Sequence, residues 1–217
     1  MINTILFDLD GTIIDTNELI ITSFLHVLQG KTMQPLTREV IIPHMGGTME
    51  NQFQTLTGLA DVAGLVRDYR AYSMLHHDTM VKPFPNVLEV VKTLHKQGIK
   101  LGVVTTKIRP NTIRVLEMFD LASYMGSIVT VDDVEHPKPH AEPVLKAIQE
   151  LNADPAHTLM VGDSSFDILA AQAAGVQSAG VAWSLKGEET LRGYNPDFML
   201  KNMTDLLDLV AQGTEAK

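Results

Sequence analysis

The stretch Ile5-Leu6-Phe7-Asp8-Leu9-Asp10-Gly11-Thr12 decides the fold. A short apolar run stops at an acidic, glycine-containing segment, which reads as a buried strand followed by a turn. Asp10 lies two residues beyond Asp8, so along an extended segment both carboxylates project to one side. Taken alone, the pair also suits a capped turn, because Asp side chains often hold such turns together. Four further apolar runs end in small or polar residues: Leu101–Val104, Ile128–Val131, Leu159–Val161 and Ala179–Ala182. Helical patterns separate them, over Val87 to Leu94, Ile113 to Phe119 after Pro110, Leu145 to Leu151, and Ile168 to Ala173 before Gly175. Alternation of this kind predicts βαβ units and a doubly wound, Rossmann-like parallel sheet of the α/β class.

One section breaks the alternation. Residues 16–82 carry only helical spacing, as in Leu19-Ile20-Phe24-Leu25-Leu28 and Val62-Leu65-Val66-Tyr69-Tyr72. An all-helical block between the first strand and the rest of the sheet predicts an inserted cap over 16–82, with residues 1–15 and 83–217 forming the core. Pro83-Phe84-Pro85 makes a stiff return between them. The Gly213–Lys217 tail reads as frayed.

Composition narrows the function. The 217 residues suit one domain or one domain with a modest insert, and 45% hydrophobic content can form a sizeable core. Seventeen basic against twenty-six acidic residues give a formal charge of −9, with no basic run to grip a polyanion, so nucleic acid and anionic membrane are poor partners. With no cysteine, disulfides and thiolate metal sites are excluded. Met1 to Asp8 lacks a basic n-region, and the longest charge-free stretch, Ile168 to Leu185, is broken by Gly175 and Gly180. We therefore expect a soluble cytoplasmic protein. The pattern carries no signal for oligomeric state.

In open α/β folds ligands bind beyond the carboxyl ends of the strands. Those positions hold Asp8-Leu9-Asp10-Gly11-Thr12, Thr105-Thr106-Lys107, Pro137-Lys138-Pro139 and Gly162-Asp163-Ser164-Ser165-Phe166-Asp167. Carboxylates, a hydroxyl and an ammonium gathered on one edge suit an anionic phosphate and a hard divalent cation. These four segments, in this order, resemble the loop motifs of the haloacid dehalogenase superfamily of phosphohydrolases. The insertion point resembles that of its helically capped members.

The resemblance implies that Asp8 is the nucleophile of an aspartyl-phosphate mechanism and Asp10 its acid/base partner. It implies that Thr105, with Thr106 as the next hydroxyl, and Lys138 bind the transferring phosphoryl group. Mg²⁺ would be held by Asp8, Asp163 and the Asp10 carbonyl, with Asp167 orienting Lys138 or a metal-bound water. For Asp167, a helix-start residue favoured by the dipole is almost as good a reading. Substrate choice is expected from the cap, where Gly46-Gly47 can bring backbone N–H groups to an anion or serve as a plain turn.

Asp15 to Ile20, His76 to Asp78, Val103 to Lys107, Asp132 to His136 and Ala179 to Trp183 further resemble bacillary-type inorganic pyrophosphatases. That implies pyrophosphate as substrate, with Lys107 and Arg109 the nearest cations for its second phosphate. Phosphoglycolate phosphatase is the nearest rival, and a non-catalytic phosphoryl-binding module the rival from another class. Other polar clusters read as structural: His76-His77-Asp78 as a solvated helix end, Met74 and Met80 as core filling, and Trp183 as packed.

Overall fold

In this computed structural model, which describes residues 1–32 and 35–212, the apolar runs become the strands of one sheet. β1 (Thr4–Phe7) is followed by a two-residue β2 (Ile14–Asp15) and four helices, α1 (Asn17–Leu28), α2 (Arg38–Ile41), α3 (Met49–Thr57) and α4 (Ala63–Met80). A two-residue β3 (Lys82–Pro83) leads to α5 (Val87–Lys96), β4 (Lys100–Val104), α6 (Arg109–Met118), β5 (Ser127–Val129) and α7 (Glu142–Glu150). The chain ends with β6 (Thr158–Gly162), α8 (Ser165–Ala174), β7 (Gln177–Val181), α9 (Glu188–Arg192), β8 (Phe198–Leu200) and α10 (Asp205–Gln212). The Gly213–Lys217 tail lies outside the described residues.

The six-stranded sheet runs β5-β4-β1-β6-β7-β8, with every pairing parallel. β1 is central, and side-chain alternation divides it between two apolar layers. Ile5 and Phe7 face a layer built with Val87, Val90 and Val91 of α5 and Leu206 and Val210 of α10. Leu6 faces the opposite layer, with Val144 and Ala147 of α7 and Ala170 and Ala171 of α8. A strand covered on both faces must be apolar throughout, which is why its run is continuous. The chain leaves β1 toward β4 and β5, then crosses back to β6. The strand order therefore reverses between β1 and β6, where such sheets open a crevice.

The helices of residues 17–80 have an apolar cluster of their own, with Phe24, Phe53 and Tyr69 at its centre. Ring centroids lie 5.0 Å apart for Phe24–Phe53, 5.2 Å for Phe24–Tyr69 and 5.8 Å for Phe53–Tyr69.

Several expectations are corrected. The strand read as Ile128–Val131 ends at Val129, because Asp133 caps Thr130 and turns Val131–Asp133 into a 3₁₀ helix. The strand read as Ala179–Ala182 likewise ends at Val181. β8 and the antiparallel β2–β3 pair carry no local pattern long enough to read. Met74 is 42% exposed instead of filling a core, whereas Met80 packs partly against the main layer. His77 is buried at 3% exposure, with Nδ1 2.9 Å from Asp78 Oδ1, instead of solvated. Trp183 packs against Phe84 and its indole N–H donates to the Thr12 carbonyl at 3.2 Å. Among the described residues, no helix is long and apolar enough to cross a membrane.

Phe7→Ala should cost about 3–5 kcal/mol in urea unfolding, the range for deleting a buried aromatic side chain. Leu75→Ala, at a site 78% exposed, should stay within about 0.5 kcal/mol.

Candidate active site

β1 ends at Phe7, and the next residue, Asp8, stands at the mouth of the crevice with its N–H held by the Val161 carbonyl at 2.8 Å. The buried Lys138 ammonium reaches it from the loop before α7. Lys138 Nζ donates to Asp8 Oδ1 at 2.7 Å, to Asp167 Oδ1 at 2.6 Å and to the Val104 carbonyl at 2.8 Å. Three donors thus meet three acceptors, which is what lets the charge lie inside the protein. Burial alone would make Lys138 more acidic, but Asp167 and Asp8 raise its pKa above the ordinary lysine value. Asp167 serves two purposes: its other oxygen accepts from the Ser164 N–H at 3.0 Å and hydroxyl at 2.6 Å, closing a capping box at the start of α8.

Charge in this crevice is not balanced. Burial pushes the Asp8 pKa up to about 8; Lys138 opposes the shift, and Asp167 and Asp163 add to it. Asp163, beyond the end of β6, is likewise raised by burial, with Lys186 opposing. Asp8, Asp163 and Asp167 offer oxygens that all lie within 4.8 Å of one another. Asp167 is already taken up by Lys138 and Ser164. Among the described residues, Asp8 Oδ2 has only a 3.5 Å contact from the Thr12 hydroxyl. Asp8 and Asp163 therefore fit a hard divalent cation, which accepts a sparse carboxylate set completed by carbonyl, substrate and water oxygens. Close approach at this point requires glycine: a Cβ on Gly11, whose φ is +82°, would lie 2.6 Å from Asp163 Oδ2.

Asp10 stands beside them, its two oxygens each 3.0 Å from Lys107 Nζ. Thr105, past the end of β4, is buried; its Oγ accepts from the Lys107 N–H at 3.2 Å, so its own proton is free to donate. Thr106 also lines the cavity, but its hydroxyl donates to the Gly46 carbonyl at 3.2 Å. That bond ties the helical block to the sheet. Gly46 and Gly47 line the cavity and press on the far wall: a Cβ on Gly46 would come within 2.9 Å of Ser164 Oγ, and one on Gly47 within 3.1 Å of the Phe166 ring. Space explains both glycines.

Arg109 is not brought to the cavity. Its guanidinium grips Asp133 at 2.7 and 3.3 Å and the Ile128 carbonyl at 2.8 Å, on the β5 side. Lys186, which sequence reasoning missed, is there instead, with Nζ 3.1 Å from Asp163 Oδ2. Inspection of the segment after β7, made as for the other strands, would have found it. The cavity holds about 100 Å³ and is bounded on the sheet side by Asp8, Asp10, Thr105, Lys107, Asp163 and Lys186 and on the helical side by Gln52, Tyr69 and Arg70. Pockets for drug-sized ligands typically measure about 300–1,000 Å³, so the arrangement suits a small, anionic, oxygen-rich molecule.

Comparison with known proteins agrees with this chemistry. The family model for haloacid dehalogenase-like hydrolases matches residues 5–181. Pyrophosphatase PpaX of Anoxybacillus flavithermus is 48% identical over 209 residues, 96% of this chain and 97% of the relative. Pyrophosphatase PpaX of Bacillus thuringiensis is 46% identical over 210 residues, 97% of each chain. A haloacid dehalogenase-like protein from Bacteroides fragilis superposes with a TM-score of 0.86 at 31% identity, covering 95% of this chain and all of its own. The chain belongs to the haloacid dehalogenase-like hydrolases and is an enzyme of the phosphatase type.

Lys138→Met should destabilise the fold by about 3–5 kcal/mol in urea unfolding at neutral pH, because it strands two buried carboxylates. Arg109→Met breaks a pair whose arginine is half exposed and should cost about 1 kcal/mol or less.

Proposed function

We propose that this hydrolase is a Mg²⁺-dependent cytoplasmic phosphohydrolase that acts through an aspartyl-phosphate and takes inorganic pyrophosphate as its substrate. One observation carries the reading. The Asp8 carboxylate is held 2.7 Å from Lys138 Nζ at the floor of a small cavity where Asp10, Thr105 and Asp163 converge.

In the first step an Asp8 oxygen attacks phosphorus in line, and the bond to the bridging oxygen breaks as Asp10 gives it a proton. In the second, Asp10 takes a proton from water, which attacks the aspartyl-phosphate and releases phosphate with Asp8 restored. The Thr105 hydroxyl faces the phosphoryl oxygens, and the Lys138 charge, held against Asp8, lies behind them where charge gathers in the transition state. Asp167 fixes the Lys138 ammonium through its 2.6 Å contact, and Lys107 holds Asp10 in place. Asp8, Asp163 and the Asp10 carbonyl would hold Mg²⁺, which supplies further positive charge against the substrate oxygens. A non-catalytic binding module would not need an acid/base group beside a buried nucleophile.

Residues 1–15 and 83–217 form the catalytic core in this reading, and 16–82 a cap that excludes water from the aspartyl-phosphate. Gly46 and Gly47 let that cap close onto Ser164 and Phe166. Two features support pyrophosphate: the activity named for relatives 46–48% identical over nearly the full chain, and a small cavity that carries cationic groups beside the carboxylates. Lys107, which lines the cavity beside Asp10, remains the cation assigned to the leaving phosphate, and Arg109, engaged by Asp133, is withdrawn from that role.

A steady-state panel with Mg²⁺ should give a higher kcat/KM for pyrophosphate than for phosphoglycolate. A tenfold preference for phosphoglycolate would overturn the substrate assignment and leave the mechanism standing. Asp8→Asn should fold and lose turnover, and activity within tenfold of wild type would remove Asp8 as nucleophile. Mg²⁺ should raise the melting temperature by linkage, and Asp163→Asn should abolish most of that rise. An equal rise in both proteins would place the metal elsewhere.

A further inference from the structure

The helical block brings Gln52, Tyr69 and Arg70 to the cavity, and of these Tyr69 carries a hydroxyl with no hydrogen-bond partner among the described residues. Tyr69, in the middle of α4, is 6% exposed, and its ring is wedged against Phe24 and Phe53 in the block's own core. The residue lines the cavity on the side facing the sheet. Its hydroxyl makes no hydrogen bond to any described residue and is not sealed from solvent, which leaves it open to a partner in the cavity. Burial first, and then the negative charge of Asp10, raise the phenol pKa well above its ordinary value. The group therefore remains a proton-bearing donor at working pH, and it lies within the field of Asp10.

That location bears on the leaving group. Asp10 delivers its proton to the bridging oxygen, so whatever departs must pass beside Asp10 and meet the helical wall. Pyrophosphate departs as phosphate, whose oxygens accept hydrogen bonds. The aryl ring of p-nitrophenyl phosphate offers no such acceptor near the reacting atoms. A rigid aromatic strut with one free O–H fits the first leaving group and gains nothing from the second.

We propose that the Tyr69 hydroxyl donates a hydrogen bond to the leaving phosphate of pyrophosphate and is a specificity-determining residue of the site; this rests on the pyrophosphate reading given above. Tyr69→Phe keeps the ring packing and removes only the donor.

The test compares wild type and Tyr69→Phe, both loaded with Mg²⁺. It combines calorimetric titration with imidodiphosphate, a non-hydrolysable analogue, with kcat/KM on pyrophosphate and on p-nitrophenyl phosphate. Tyr69→Phe should lose about tenfold or more in imidodiphosphate affinity and in kcat/KM on pyrophosphate, as expected for a donor to a charged acceptor. It should remain within about twofold on p-nitrophenyl phosphate, with an unchanged melting temperature. Equal losses on both substrates would mean that Tyr69 acts through Asp10 or the fold, and no loss on either would mean that it touches nothing; both results overturn the assignment. If wild type neither binds imidodiphosphate nor hydrolyses pyrophosphate, the substrate reading itself fails and this assignment falls with it.

Discussion

Lys138 carries a full charge into the interior, and the crevice is organised around satisfying it. Its three hydrogen bonds end on Asp8, just past β1, on Asp167 in the first turn of α8, and on the carbonyl of Val104, the last residue of β4. One ammonium therefore fixes the positions of two strand ends and a helix start at the place where the strand order reverses. A buried ion pair of this kind contributes more to geometry than to stability, since desolvation offsets much of the attraction. Here the geometry is the useful product: the Asp8 side chain is held in one orientation with its second oxygen almost free. Lys138 does not neutralise the whole set, because Asp8 and Asp163 both remain shifted toward the protonated form. A site with surplus buried carboxylate is a site that draws a cation.

The helical block meets this crevice with a different chemistry. It brings no lysine to the floor, but two glycines, the Gln52 amide, the Tyr69 phenol, the Arg70 guanidinium and the Glu50 carboxylate to the roof. Its aromatic trio gives it an apolar cluster apart from those of the sheet, and Tyr69 of that trio also lines the crevice. Contact across the boundary is made by small or paired groups: Gly47 against Phe166, Thr106 on the Gly46 carbonyl, and the Arg114 guanidinium on Asp78 at 2.7 Å. The floor determines the reaction, and the roof limits the size and polarity of what can undergo it.

Much of this was legible in the residues themselves. Five of the six strands of the main sheet were readable because each is an apolar run bounded by turn residues, and the carboxylates followed from asking what comes after each run. β8 and the β2–β3 pair were not, since two or three residues carry no periodicity and their pairing is set by segments far apart in the chain. Lys107 and Arg109 looked equivalent in sequence. The fork of Asp133 captures the arginine, and Asp10 captures the lysine, a choice that depends on which carboxylate each can reach. His77 was misread because helix-end position alone says nothing of burial. Tyr69 was visible only as one apolar position of a helix, since the direction of a hydroxyl is a tertiary fact.

The central claim is that Asp8 becomes covalently phosphorylated during turnover. Quenching the Mg²⁺-loaded enzyme with borohydride during pyrophosphate hydrolysis converts an acyl phosphate to an alcohol, and peptide mass spectrometry locates it. The account predicts reduction at position 8, dependent on substrate. Turnover at full rate with no reducible adduct, or with the adduct on Asp10 or Asp163, would contradict it.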